Sequence, residues 1–243
     1  MTNKVKGTCV PVEYLVLCML ENNVYIISDG KATIVVDPTC KPDEIIKAAG
    51  GSVDAIILTH RHSDHVGAAK ELRDKTGATV IASAIDAPII SGEKKLPRDD
   101  MRFTPCPVDH VVNDGDILKI GDMPWKVILT PGHTEGGICL FIDPRFGTNP
   151  EGAPVLISGD TLFCGSIGRT DFQGGDMNAM RRSLKRLAVL PDETVVLPGH
   201  NSTTKIGNER KSVFAYYAYG VAAYAQETDC ALRALRMTES SSS

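Results

Sequence analysis

The segment Ile56-Ile57-Leu58-Thr59-His60-Arg61-His62-Ser63-Asp64-His65 limits most strongly what this chain can become. Four potential metal ligands follow directly on an apolar run. A buried strand ending in imidazoles and a carboxylate brings costly polar groups to its own core unless a cation takes them up. His60 and His62 are two residues apart, about 200° around a helix, so they do not share a helical face as the histidines of H-E-x-x-H do. The spacing places them in a loop.

Of the six histidines, three lie outside this cluster: His110, His133 and His200. Thr130-Pro131-Gly132-His133 follows the apolar run at 125–129, and Pro198-Gly199-His200 follows Val195-Val196-Leu197. Val155-Leu156-Ile157-Ser158 runs into Gly159-Asp160 in the same way. Four apolar strands thus each deliver metal-binding groups at their carboxyl ends, where open α/β sheets place their sites. Five histidines and two aspartates are too many for one four-coordinate zinc. They suit two ions, roughly 3.5–4 Å apart and sharing a carboxylate. Asp160, alone at its strand end, is the expected bridge.

Several classes of function are disfavoured. A net charge of −4 gives no basic footprint for nucleic acid. The apolar stretch at 10–20 is interrupted by Glu13 and followed by no A-x-A-like cleavage site, so it does not read as a signal peptide. No run approaches the roughly 20 apolar residues of a membrane helix. The seven cysteines (Cys9, Cys18, Cys40, Cys106, Cys139, Cys164 and Cys230) include no C-x-x-C pair, and unpaired thiols suit a reducing compartment. The expectation is a cytoplasmic protein with no membrane or nucleic-acid partner. Cys164, near the loop after Asp160, reads as an ordinary thiol, because a metal-activated hydroxide needs no side-chain nucleophile.

Strands are expected at 10–17, 24–28 and 33–36, with a turn at Glu21-Asn22-Asn23. A helix opens at Pro42-Asp43-Glu44 and stops at Gly50-Gly51. A ligand-bearing strand at 54–59 leads into a helix over about 64–75, capped by Ser63 or Asp64. A strand at 78–82, a short helix near Ala87 and a long loop at 91–107 complete the first half. In the second half, strands fall near 117–120, 125–129, 138–142, 155–158 and 194–197. An amphipathic helix spans 177–190, its Arg181, Arg182, Lys185 and Arg186 forming a solvated face. The pattern gives an α/β fold, an αββα sandwich of two mixed sheets with outer helices. One domain over 1–237 and a disordered tail at 238–243 are expected.

The strings Thr59-His60-Arg61-His62-Ser63-Asp64-His65, Pro131-Gly132-His133, Ser158-Gly159-Asp160 and Pro198-Gly199-His200, in that order, resemble the metallo-β-lactamase fold superfamily. Val35-Val36-Asp37-Pro38 and Asn113-Asp114-Gly115-Asp116 add to the likeness, which is closer to the short bacterial glyoxalase II-like branch. The resemblance implies His60, His62 and His133 on one metal and Asp64, His65 and His200 on the other, with Asp160 shared. It implies two zinc ions, with iron or manganese as alternatives at one or both positions. The implied reaction is hydrolysis of a small-molecule thioester, S-lactoylglutathione or a related acyl-thiol, by a metal-bridging hydroxide, with Asp64 orienting that nucleophile. Asp37 and Thr59 are candidates to fix imidazole tautomers.

Arg169 aligns with a basic residue that contacts glutathione in glyoxalase II, which makes it a candidate for holding a substrate carboxylate. Two departures loosen the link to glutathione. Only about forty residues follow His200, and Ser202 stands where glyoxalase II has a tyrosine. The string Gly168-Arg169-Thr170-Asp171-Phe172-Gln173 also resembles persulfide dioxygenases, whose single iron would correspond to His60, His133 and Asp160. A β-lactam hydrolase is a third alternative.

Overall fold

The computed structural model describes residues 2–96 and 103–220. The expected tail at 238–243 and the middle of the loop expected at 91–107 lie outside the described residues. The first sheet contains β1 (Asn3–Val5), β2 (Val12–Leu17), β3 (Asn22–Ser28), β4 (Thr33–Val36), β5 (Ala55–Ile57), β6 (Thr79–Ser83) and β7 (His110–Val112), in that order. It is antiparallel from β1 to β4 and parallel from β4 to β7. The second half supplies β8 (Ile117–Ile120), β9 (Met123–Leu129), β10 (Ile138–Ile142) and β11 (Val155–Gly159). A short hairpin, β12 (Leu162–Phe163) and β13 (Ser166–Ile167), precedes β14 (Val195–Pro198) and β15 (Thr204–Lys205). The second sheet runs β15-β14-β11-β10-β9-β8, antiparallel except for the β11–β14 pair.

Strand alternation explains the layering, since successive side chains point to opposite faces. Ile34, Val36 and Ile57 enter the core between the sheets, where they join Trp125, Val127, Leu140, Ile157 and Leu197. Their neighbours Val35 and Ile56 point the other way, into a cluster with Ile45 and Leu72. Those two come from α1 (Pro42–Ala48) and from a helix at Ala69–Thr76. On the far side, Leu156 and Val196 meet Met180, Leu184 and Leu187 of a helix at Met177–Leu187. This is the expected αββα arrangement, with strands apolar on both faces because both faces are covered. No helix among the described residues is long and apolar enough to cross a membrane.

Four local expectations are corrected. The helix expected over 64–75 divides into α2 (Ser63–Val66) and α3 (Ala69–Thr76), because Ala68 N–H donates to the Pro38 carbonyl, 2.8 Å away, across the break. Neither Ser63 nor Asp64 caps it; His62 occupies the N-cap position without a side-chain cap. The turn expected at 21–23 falls earlier: Cys18 and Glu21 take positive φ, while Asn22 and Asn23 are buried in β3. The side chains of Cys18 and Cys40, expected as scattered thiols, are also brought together, Cα–Cα 6.6 Å. β2, β3 and β4 are antiparallel neighbours in one sheet, so the turn after β2 and the loop after β4 lie at the same end of it. Cys9, Cys106 and Cys139 are buried and free, and Cys164 is exposed and free.

The remaining helices are α4 (Ala87–Ile90), α5 (Met177–Leu187) and α6 (Ile206–Glu209), the last continuing into a π-helical stretch, Arg210–Tyr219. The four basic residues of α5 are exposed, as its periodicity demands. Its N-terminus is held by Asp176, whose side chain accepts from Ala179 N–H at 2.7 Å.

Candidate metal centre

Each predicted ligand stands just beyond the carboxyl end of a strand: His60 after β5, His133 after β9, Asp160 after β11 and His200 after β14. The loop from His60 into α2 adds His62, Asp64 and His65. The structure brings all seven together. Ligand atoms of His60, His62 and His133 lie within 4.8 Å of one another, and so do those of Asp64, His65 and His200. Asp160 stands between the groups. Its Oδ2 is 3.5 Å from His133 Nε2 and 3.6 Å from His200 Nε2, while its Oδ1 is 3.4 Å from His65 Nε2.

Hydrogen bonds fix which ring nitrogen faces the centre. His65 Nδ1–H donates to Asp37 Oδ2 at 2.9 Å, His133 Nδ1–H to the Arg169 carbonyl at 2.7 Å, and His200 Nδ1–H to the Leu20 carbonyl at 2.9 Å. Thr59 Oγ1–H donates to Asp37 Oδ2 at 2.6 Å, which leaves its lone pair to accept from His60 Nδ1–H at 3.1 Å. In their neutral forms all four rings therefore carry the lone pair on Nε2, the usual arrangement around a metal. His62 presents the other nitrogen, its Nδ1 lying 2.8 Å from His133 Nε2. Asp37 and Thr59, raised above as tautomer-fixing candidates, make those contacts. Asp37 does so from a positive φ of 52°, a conformation uncommon for a residue with a side chain. With Thr59 and His65 already on its oxygens, Asp37 supports the ligands from behind.

Electrostatics divide the two groups. Burial, reinforced by the neighbouring imidazoles, holds His60 well below the ordinary histidine range and His62 at about 3. Burial also lowers His133. His65 goes the other way: burial opposes its charge, but Asp160 and Asp37 outweigh it and raise the ring well above its usual value. His200 is raised against burial by Asp64 and Asp160. Burial would raise Asp64 and Asp160, yet the surrounding histidines keep both below the carboxylate range.

The donor set fits divalent cations. His60 Nε2, His65 Nε2 and Asp160 Oδ1 are buried without a hydrogen-bond partner, although each unsatisfied buried polar atom costs roughly 1–3 kcal/mol. Three such atoms at one place, facing carboxylates, call for a positive charge. Open sites of this kind, rich in imidazole and carboxylate, are typical of hydrolytic metal centres.

A match to the metallo-beta-lactamase superfamily model covers residues 20–200. The chain belongs to the metallo-β-lactamase superfamily. It is 30% identical over 212 residues to the hydroxyacylglutathione hydrolase GloC of Haemophilus influenzae, covering 83% of this chain and 95% of that protein. The BLEG-1 B3 metallo-beta-lactamase superposes with a TM-score of 0.71 at 30% identity, covering 86% of this chain and 99% of that one. TTHA1623, solved in a di-iron-bound form, superposes with a TM-score of 0.66 at 32% identity, covering 82% and 97%. As a member of this superfamily the protein is a metal-dependent hydrolase with a divalent-metal site.

The centre opens into a cleft of about 610 Å³, whose apolar lining comes from Leu20, Phe103, Phe163, Ile167 and Phe172. Phe172 stands edge-on to His62 at 5.8 Å, and Phe163 edge-on to His200 at 6.1 Å. Arg169 lines the same cleft, but its guanidinium is occupied. It is bound through two nitrogens to Asp171, at 2.9 and 2.7 Å, and lies 4.2 Å from the Phe172 ring centre. Cys164 is not among the lining residues, and His110 is exposed on β7, away from the group. Sequence reasoning missed Asn22. It is 1% exposed, and its Nδ2 donates to Asp64 Oδ2 at 3.0 Å.

Proposed function

We propose that the protein is a thioester hydrolase working with two zinc ions on a small acyl-thiol such as S-lactoylglutathione. The position of Asp160 carries this reading, because one carboxylate faces His133 of one triad and His65 and His200 of the other. When bound, two divalent cations lower the pKa of water towards about 7 and polarise an acyl carbonyl. His60, His62 and His133 would hold one ion, Asp64, His65 and His200 the other, with Asp160 common to both.

The chain's own groups supply the rest. Asp64, held by Asn22 and lying 3.2 Å from His200 Nε2, stays ionised and orients the attacking oxygen towards the acyl carbon. A thioester suits the site because its thiolate leaves without needing full protonation by a side chain. Phe163 and Phe172 flank the centre and exclude water from the substrate's apolar parts. Similarity to GloC, a hydroxyacylglutathione hydrolase, supports the choice of thioester.

Persulfide dioxygenation on one iron would use His60, His133 and Asp160, and would leave Asp64, His65 and His200 convergent without a task. The test is hydrolysis of S-lactoylglutathione by zinc-loaded protein, beside assays for oxygen uptake with glutathione persulfide and for β-lactam opening. Thioester turnover alone supports the proposal; oxygen uptake without thioester cleavage overturns it.

A further inference from the structure

Arg61 lies between two proposed ligands, His60 and His62, is only 2% exposed, and borders the same cleft. Its Nη1 donates to Asp86 Oδ1 at 3.0 Å, its Nη2 to the Gln173 carbonyl at 2.8 Å, and its backbone N–H to Asp86 Oδ2 at 3.1 Å. Glu135 Oε2 is 3.4 Å from Nη1. Asp86, fully buried at the start of α4, also accepts from Thr134 Oγ1 at 3.3 Å. Two glycines keep the space open. A side chain at Gly136 would overlap the Asp86 carboxylate, and one at Gly174, where φ is +83°, would overlap the Arg61 guanidinium.

A buried ion pair is weak as a stabilising device, since apolar residues of similar volume often replace one without loss. Its connections explain it better. Through Arg61 the ligand loop is tied to the segment after His133, by way of Asp86 and Thr134, and to the Gly168–Gly175 loop by way of Gln173. That second loop carries Phe172, which packs edge-on against His62 at 5.8 Å and His133 at 6.3 Å. One guanidinium with donors in a rigid fork can serve both directions; an ammonium cannot.

We propose that Arg61, seated on Asp86, is a positioning residue with two tasks: it holds His62 against His133 in the first metal triad, and it pins the Phe172 loop as a wall of the substrate cleft. The second task rests on the thioesterase reading; the first needs only the metal ligands. The pair Arg61→Met with Asp86→Asn removes both charges and leaves a carbonyl to accept from residue 61 N–H and Thr134. In zinc-loaded protein this double variant should melt near the wild type, yet give up the more weakly held zinc to a chelator about 10- to 100-fold more readily, the usual effect of removing an outer-shell partner. Its KM for S-lactoylglutathione should rise more than its kcat falls. Arg61→Lys should likewise melt near the wild type while keeping the raised KM and the weakened zinc retention. A folded double variant with unchanged zinc retention and KM overturns the proposal. If the double variant does not fold, Arg61→Lys decides, and wild-type zinc retention and KM in that variant overturn it as well. Should the wild type cleave no thioester, zinc retention still tests Arg61 while the functional reading alone fails.

Discussion

Asn22 Nδ2 donates to Asp64 Oδ2 at 3.0 Å and lies 3.4 Å from His200 Nε2. β3 thus reaches the centre directly: its first residue forms a bridge with His200, and Asn23 ties the same loop through the carbonyls of Pro198 and Asn201, at 3.0 and 2.8 Å. A hydrogen bond to a charged group contributes about 1.5–3 kcal/mol. Asn22→Ala is therefore expected to lower kcat about tenfold or more with little change in KM. Asn22→Asp should do worse, since it sets a like charge against Asp64. Steady-state kinetics on both variants check this, and a wild-type kcat in either contradicts it.

The shared position of Asp160 predicts unequal losses. Asp160→Asn should weaken retention of both metals together, whereas His200→Ala should chiefly deplete the site of Asp64 and His65. Metal content after gel filtration, with graded chelator, distinguishes them. Identical depletion in the two variants would contradict the assignment.

The metal-free protein should lose stability in acid. His62 is held at about 3 by burial and its neighbouring imidazoles, against about 6.5 unfolded. Between those values the unfolded chain binds a proton that the folded one refuses, so stability falls as pH drops through this window, by up to about 1.4 kcal/mol per pH unit for one such group. His60 and His133 act in the same direction. His65 and His200, raised in the fold, oppose it: their contribution is full below about 6.5 and fades as pH rises through their folded values. Urea titrations of chelator-treated protein from pH 7 to 4 should show a shallower decline in His62→Gln than in wild type. An equal slope would remove His62 from this account.

Arg169→Ala should change KM for an anionic thioester by less than about twofold, because the side chain is already neutralised by Asp171 and is exposed on the rim. A tenfold rise would restore it as the carboxylate anchor that its alignment suggested.

Much of this was legible because spacing constrains chemistry. His60-x-His62 forbids a shared helical face, and three further strands end in glycine-flanked ligands, so the convergence of the four followed from the sequence pattern and the family likeness. The apolar periodicity of β4, β5, β11 and β14 revealed the two covered sheets. What stayed hidden depends on contacts between distant residues. Asn22 reads locally as a turn former, and only the pairing of β3 with the His200 loop gives it a role. The Arg61–Asp86 pair joins residues 25 apart, with no periodic or compositional trace. The approach of Cys18 to Cys40 follows from sheet order rather than from spacing along the chain. The division of the helix after His62 depends on the Pro38 carbonyl, equally invisible in the segment itself.

Seven side chains, one of them a shared carboxylate, are arranged to hold a pair of ions. Elemental analysis of protein purified without chelator, set against its concentration from amino-acid analysis, tests this most directly. Two divalent metal ions per chain, predominantly zinc, are expected, falling together in Asp160→Asn. A single iron per chain, unaffected by His200→Ala, would contradict it.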